Sequence, residues 1–155
     1  MPYSRINRRQ LLQASTTGMI LAPYSSQAEQ ALPQSLHTIL QQHYPDRPLQ
    51  QRAVSITLPA LSENGNSVSL TIAVNQAEIP AGIKSIAVFS EKNPVKLMAS
   101  FQFPPPPPQQ LIQVATRVRL ADSQTLAAVA ETYDKQLVYA TASIIVTLAA
   151  CVNLS

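Results

Sequence analysis

The chain has 155 residues and a mass of 16.8 kDa, enough for one domain but not for an enzyme with a cleft between two domains. Charged residues make up 12% against a usual share of about 25%, while the apolar share of 46% is ordinary, which indicates a folded chain with a weakly charged polar surface. One cysteine, Cys151, and two histidines leave few side chains for catalysis.

The first 28 residues have the layout of an export signal. Arg5, Arg8 and Arg9 account for three of the eleven basic residues, and the chain from Glu29 onward contains eight basic and eight acidic residues. The net charge of +3 therefore belongs to the signal, and we expect no nucleic-acid binding.

The pair Arg8-Arg9 is followed by two leucines, which is typical of a twin-arginine signal, and residues 26–28 form a small-x-small cleavage site. The apolar stretch at 11–22 is too short for a membrane span and is interrupted by polar residues. We therefore expect twin-arginine export to the periplasm, with a mature domain over 29–148 and a carrier arm over 149–155. The alternative is a basic amphipathic N-terminal helix.

The mature chain changes from a helical to a strand period. Leu32, Leu36, Ile39 and Leu40 have helical spacing, and Pro45 ends the pattern. Strand-like runs follow at 54–58, 68–74, 83–90, 97–103, 111–120, 126–133 and 137–148. About seven short strands without intervening helices predict an all-β, immunoglobulin-like antiparallel β-sandwich.

Two other features carry less weight for function. The prolines at 104–108 form a stiff rod that suits a spacer between strands better than a docking motif, because no basic residues flank it. His37, His43 and Met98 lack the clustered spacing of a metal site. We therefore expect no metal, no cofactor and no catalytic residues.

Cys151 is the chemically conspicuous residue. The apolar positions of the last strand are even-numbered, from Val138 to Leu148, so the odd-numbered Cys151 is expected to face away from the core or to lie on a terminal tail. Residues 136–155 include no Lys, Arg or His that could lower the pKa of its thiol, so an enzyme nucleophile is not expected. A packed cysteine that finishes the last strand is the alternative.

The sequence resembles the SoxY family of sulfur-oxidation carrier proteins. The resemblance rests on the twin-arginine start and on segments 54–58, 63–68, 89–94, 116–121, 129–131 and 146–151. In place of the family's Gly-Gly-Cys-Gly-Gly arm, this chain has Ala149, Ala150, Cys151 and Val152, as in a SoxY-related paralogue.

The resemblance implies a periplasmic carrier without enzymatic activity. It would hold a covalently bound sulfur species on Cys151, with Ala149, Ala150 and Val152 as the arm, and would form a heterodimer with a SoxZ-like subunit. Sulfur-metabolism enzymes or cytochromes would be its clients. The competing hypothesis is a SoxY-like interaction module that carries nothing, in which Cys151 is packed or forms an interchain disulfide.

Overall fold

The computed structural model describes residues 32–105 and 111–150. The predicted export signal, residues 106–108 of the proline run, Cys151 and Val152 lie outside these residues. The described part contains one α-helix, a short 3-10 turn and nine strands. No helix in this part is long and apolar enough to cross a membrane.

The helix α1 spans Gln34–His43, where the sequence predicts it. Leu36 and Leu40 are fully buried, because residues four apart lie on one face of a helix. The N–H of Tyr44 donates to the carbonyl of Leu40 and closes the last turn. Pro45 follows directly and cannot continue the helix.

The strands are bounded as follows: β1 Leu49–Gln50, β2 Val54–Thr57, β3 Leu61–Ser62, β4 Val68–Val74, β5 Ile83–Ser90, β6 Leu97–Gln102, β7 Ile112–Val118, β8 Gln124–Thr132 and β9 Leu137–Val146. All seven predicted runs are strands. The remaining two, β1 and β3, have two residues each and are held only by pairing with β9.

Two sheets form the sandwich. The larger sheet has the order β1-β9-β8-β5-β6, with β3 also paired to β9, and the smaller has the order β2-β4-β7. The pairs among the seven predicted strands are antiparallel, which confirms the predicted immunoglobulin-like class. The pairs of β1 and β3 with β9 are parallel and were not expected.

Apolar side chains form two layers. The main core lies between the sheets and includes Leu70, Ile72, Ile86 and Val88. The second layer lies between α1 and the outer face of the larger sheet, where Phe89 packs with the leucines of the helix. The helix therefore covers the outer face of β5 and β8, which explains why both strands are buried on both faces.

The last strand ends two residues earlier than predicted. Val138, Ile144 and Val146 face the main core, as the even-position pattern requires. Leu148 was expected on that face but is 69% exposed, so this part of the prediction is wrong. The cause is a bend at residues 147–148, where the backbone leaves β9 and bonds to the segment around β3.

Candidate functional site

The backbone after β9 crosses one end of the sandwich. The N–H of Thr147 donates to the carbonyl of Ser62 over 3.1 Å, beside β3. One residue later, the carbonyl of Leu148 accepts from the N–H of Gly65 over 2.8 Å, in the turn before β4. The N–H of Ala150 then donates to the carbonyl of Leu120 over 3.0 Å, just after β7. The chain thus leads from the β3 edge toward β7.

Gly65, Leu120, Leu148 and Ala150 form what we call the arm-root junction. The carbonyl of Gly65 also accepts from the N–H of Leu120 over 2.8 Å, so three backbone segments meet at this glycine. A Cβ atom on Gly65 would lie 2.5 Å from the carbonyl oxygen of Leu120 and 2.9 Å from the nitrogen of Ala150. Only glycine allows this approach.

A short turn places Gly65 in the junction. The side-chain oxygen of Asn64 accepts from the N–H of Asn66 over 2.9 Å, and the hydroxyl of Ser62 donates to the carbonyl of Asn64 over 3.0 Å. Such Asx turns let asparagine replace a backbone partner at a chain reversal. The turn was predicted at residues 63–66, but the part of Gly65 in holding the arm was not.

A buried asparagine fixes the loop that carries Leu120. The side-chain amide of Asn93, 6% exposed, donates to the carbonyl of Arg119 over 2.8 Å, and its oxygen accepts from the N–H of Ala121 over 3.0 Å. Gln124 donates to the same oxygen over 2.9 Å. Leu120 therefore lies between two backbone groups that Asn93 holds, on the opposite side from Ala150.

Charged groups support this loop and the helix at the surface. Lys92 pairs with Asp122 over 2.9 Å, and its ammonium group lowers the pKa of that carboxyl. Glu91 accepts from the hydroxyl of Ser35 over 2.6 Å and from the N–H of Thr125 over 3.1 Å. The hydrogen bond from Ser35, followed by that from Thr125, lowers the pKa of Glu91. Glu91 thus ties α1 to the start of β8.

An open cavity of about 310 Å³ lies between β6 and β7, and we call it the β6–β7 cavity. Each of these strands is at an edge of its sheet in the described part of the chain. The lining residues combine apolar side chains with two arginines and the buried asparagine: Asn93, Val95, Leu97, Met98, Ala99, Arg117, Val118 and Arg119. The cavity therefore adjoins the arm-root junction across the end of β7.

Two of the predicted arm residues are described, and they differ. Ala149 is exposed, whereas Ala150 is 5% exposed and belongs to the arm-root junction. Cys151 and Val152 lie outside the described residues. The arm residue next to the cysteine is therefore attached to the domain through its backbone.

The structure keeps the histidines and Met98 apart. The ring of His43 packs edge-on against Phe89 at 5.0 Å, while the sulfur of Met98 accepts from Asn93 over 3.8 Å on the other side of the larger sheet's edge strand. His37 is half-buried on the helix. Within residues 32–105 and 111–150, no group of three or more His, Cys, Asp or Glu side chains could hold a metal ion.

Comparison with solved structures finds the fold in proteins of two kinds. The sulfur carrier protein SoxY from Chlorobium limicola f thiosulfatophilum matches with 23% identity and a TM-score of 0.55, over 72% of this chain and 90% of that one. A Thermotoga maritima protein assigned as a superoxide reductase matches with 18% identity and a TM-score of 0.51, over 64% of this chain and 93% of that one. Both likenesses concern the fold alone.

Sequence comparison separates these two kinds. No curated protein matches the chain. The family model described as sulfur oxidation protein SoxY matches residues 40–151, which is most of the domain and includes the cysteine. This match supports a role in sulfur oxidation as a carrier protein. The chain belongs to the SoxY family of sulfur oxidation proteins.

Proposed function

We propose that this protein is a periplasmic carrier that holds a sulfur species covalently on Cys151 and presents it to enzymes of sulfur oxidation or sulfur transfer. The observation that carries the proposal is the match to the SoxY family, which extends to Cys151 itself. The domain would serve as a platform for a SoxZ-like subunit, and residues 1–28 would direct export by the twin-arginine route.

The arm-root junction supports a carrier in a specific way. Because the N–H of Ala150 is bound to Leu120, the thiol of the next residue is held within one residue's length, about 3.8 Å between Cα atoms, of a fixed point on the domain. A client protein that docks on this end of the sandwich would thus meet the thiol at a defined place. Such positioning replaces the search of a long free chain.

The simplest loading reaction transfers one sulfane sulfur from a persulfide. The thiolate of Cys151 attacks the outer sulfur of the donor, the donor's S–S bond breaks, and the donor leaves as a thiolate. One S–S bond forms and one breaks, so no external oxidant is needed. The carrier needs no general base of its own if the client supplies a basic group at its site, as the lack of Lys, Arg and His in residues 136–155 requires.

A second candidate is favoured by the burial of Ala150. A residue packed this closely before Cys151 also suits an interaction module in which the thiol is packed and carries nothing. Alkylation by iodoacetamide distinguishes the two. Labelling of the folded protein at the rate of the unfolded protein supports a carrier, whereas labelling that becomes measurable only on unfolding supports the packed module.

The proposal is tested on the full chain purified from cells supplied with thiosulfate. Intact-mass measurement should show a population heavier by one or more sulfur atoms, and peptide mapping should place the addition on Cys151. The nearly isosteric variant Cys151→Ser should lack it. A wild-type protein with only the unmodified thiol would reject sulfur carriage.

A further inference from the structure

We propose that residues 151–155 dock in the β6–β7 cavity as an extended segment along the free edge of β7, so that the arm has a parked position on its own domain. This parked position would protect the thiol between encounters with clients. The inference goes beyond the proposed function and does not require it, since a bare thiol arm could dock in the same way.

The path of the backbone directs the arm toward the cavity. Thr147, Leu148 and Ala150 bond in succession to residues beside β3, before β4 and after β7. The chain thus moves across the smaller sheet from one side of the sandwich to the other. At Ala150 it reaches the end of β7, the strand that forms one wall of the cavity.

The remaining distance is within reach of the segment. Leu120 takes its hydrogen bonds from Ala150 and gives one to Gly65 on one side, while Asn93 binds the flanking residues on the other side, where it lines the cavity. One backbone segment therefore separates the arm from the cavity. Neighbouring strands lie about 4.8 Å apart. Five residues in extended form span roughly 17 Å, enough to cross this segment.

The chemistry of the segment suits the cavity. Val152 and Leu154 are two apart, so both side chains face the same side of an extended backbone. The cavity offers apolar partners, among which Val95 is 60% exposed in the described structure. The edge of β7 that faces β6 has no strand paired to it among the described residues. An added strand would satisfy its backbone groups.

The two cations at the cavity suit a loaded arm as well. Arg117 and Arg119 both line the cavity and are exposed. A persulfide or sulfonate on Cys151 carries negative charge, which these guanidinium groups would attract. This last point rests on the proposed function, whereas the apolar and backbone contacts do not.

Disulfide trapping tests the parked position, because Cys151 is the one cysteine of the chain. We compare Val95→Cys in the cavity with Leu61→Cys, which lies beside the arm root on the β3 side. Their side chains are 60% and 53% exposed, so neither substitution disturbs the core. Oxidised glutathione supplies the oxidant: two protein thiols form one disulfide, and two molecules of reduced glutathione leave.

We expect Val95→Cys to form the intramolecular disulfide with Cys151 about tenfold faster than Leu61→Cys, reflecting a higher effective concentration of the two thiols. Intact mass and non-reducing peptide mapping follow the product. Equal rates, or faster trapping by Leu61→Cys, would overturn the proposal. Disulfide-linked dimers that increase with protein concentration would assign the cavity to a second copy of the chain and overturn it too.

A second measurement needs no engineered cysteine. A charge in the apolar lining should displace the arm, so Val95→Asp should raise the rate of Cys151 alkylation by iodoacetamide several-fold, while the matched Leu61→Asp should leave it unchanged. The same rate in both variants and in the wild type would contradict docking. A sulfur-free thiol in the wild type would reject the proposed function but would not affect either docking test.

Discussion

The backbone N–H of Ala150 donates a 3.0 Å hydrogen bond to the carbonyl oxygen of Leu120. This contact joins the residue before the cysteine to the loop after β7, far from it in sequence. A tail that follows a terminal strand is mobile by default. Here the domain itself fixes the point from which the thiol projects.

Replacing Gly65 by alanine should loosen that point. The added Cβ would meet the carbonyl of Leu120 and the nitrogen of Ala150, so we expect a loss of about 1–3 kcal/mol in the free energy of unfolding. Hydrogen exchange at the amide of Ala150 should accelerate more than the loss of global stability explains. Gly82→Ala is the matched control, because its φ of 74° is also strained for alanine but lies away from the junction. Equal effects of both variants on Ala150 exchange would contradict this assignment.

Asn93→Ala should destabilise the domain through its buried hydrogen bonds. The substitution leaves the carbonyl of Arg119 and the N–H of Ala121 without their partner, which we expect to cost about 1–3 kcal/mol in urea unfolding. Asn66→Ala is the control, since the Asn66 side chain is exposed and bonds only to Asn64 in the turn. A loss at Asn66 as large as that at Asn93 would argue against the buried network as the cause.

Stability should fall in acid partly through Glu91. Its pKa is lowered in the folded state, chiefly by the hydrogen bond from Ser35, so the ionised carboxylate stabilises the fold above the ordinary pKa of a glutamate. That contribution is lost as the pH falls through the lowered value. Glu91→Gln should therefore reduce stability at pH 7 and flatten the pH dependence below pH 5, measured as urea midpoints. A wild-type slope retained in the variant would refute this role.

Leu40→Ala should uncover the outer face of the larger sheet. Leu40 is fully buried between α1 and the strands, and removing its side chain leaves a cavity worth about 2–5 kcal/mol. Chemical unfolding measures the loss. Ile39→Ala on the same helix is the control, since Ile39 is half-buried and should cost less. Comparable losses would mean that the helix contributes little through this contact.

The hydrophobic pattern of the sequence predicts most of the sandwich. The seven longer strands and α1 each have a period that fixes the buried face, as the alternation along β4 illustrates. The strands β1 and β3 could not be predicted, because two residues carry no period and are ordered only by pairing with β9. Leu148 continues the apolar alternation of β9, yet the hydrogen bond from Gly65 to its carbonyl turns the backbone away.

The candidate site was predictable only in part. The cysteine and its family are evident from the sequence, whereas the attachment of Ala150 depends on Leu120 and Gly65, which lie far away in the chain. The signal for Gly65 was its rarity, since it is one of three glycines in the protein and stands between two asparagines. Asn93 gave no local signal, because its three partners come from the loop after β7 and from β8.

The central claim, that Cys151 carries sulfur rather than merely reacting with it, is tested most directly by turnover. Cells producing the full chain are supplied with thiosulfate and then transferred to medium without it, and the intact mass of the protein is followed over time. The account predicts a sulfur adduct on Cys151 that disappears on transfer as clients remove it and returns on resupply. An adduct that never forms, or one that persists unchanged after the sulfur source is withdrawn, would contradict it.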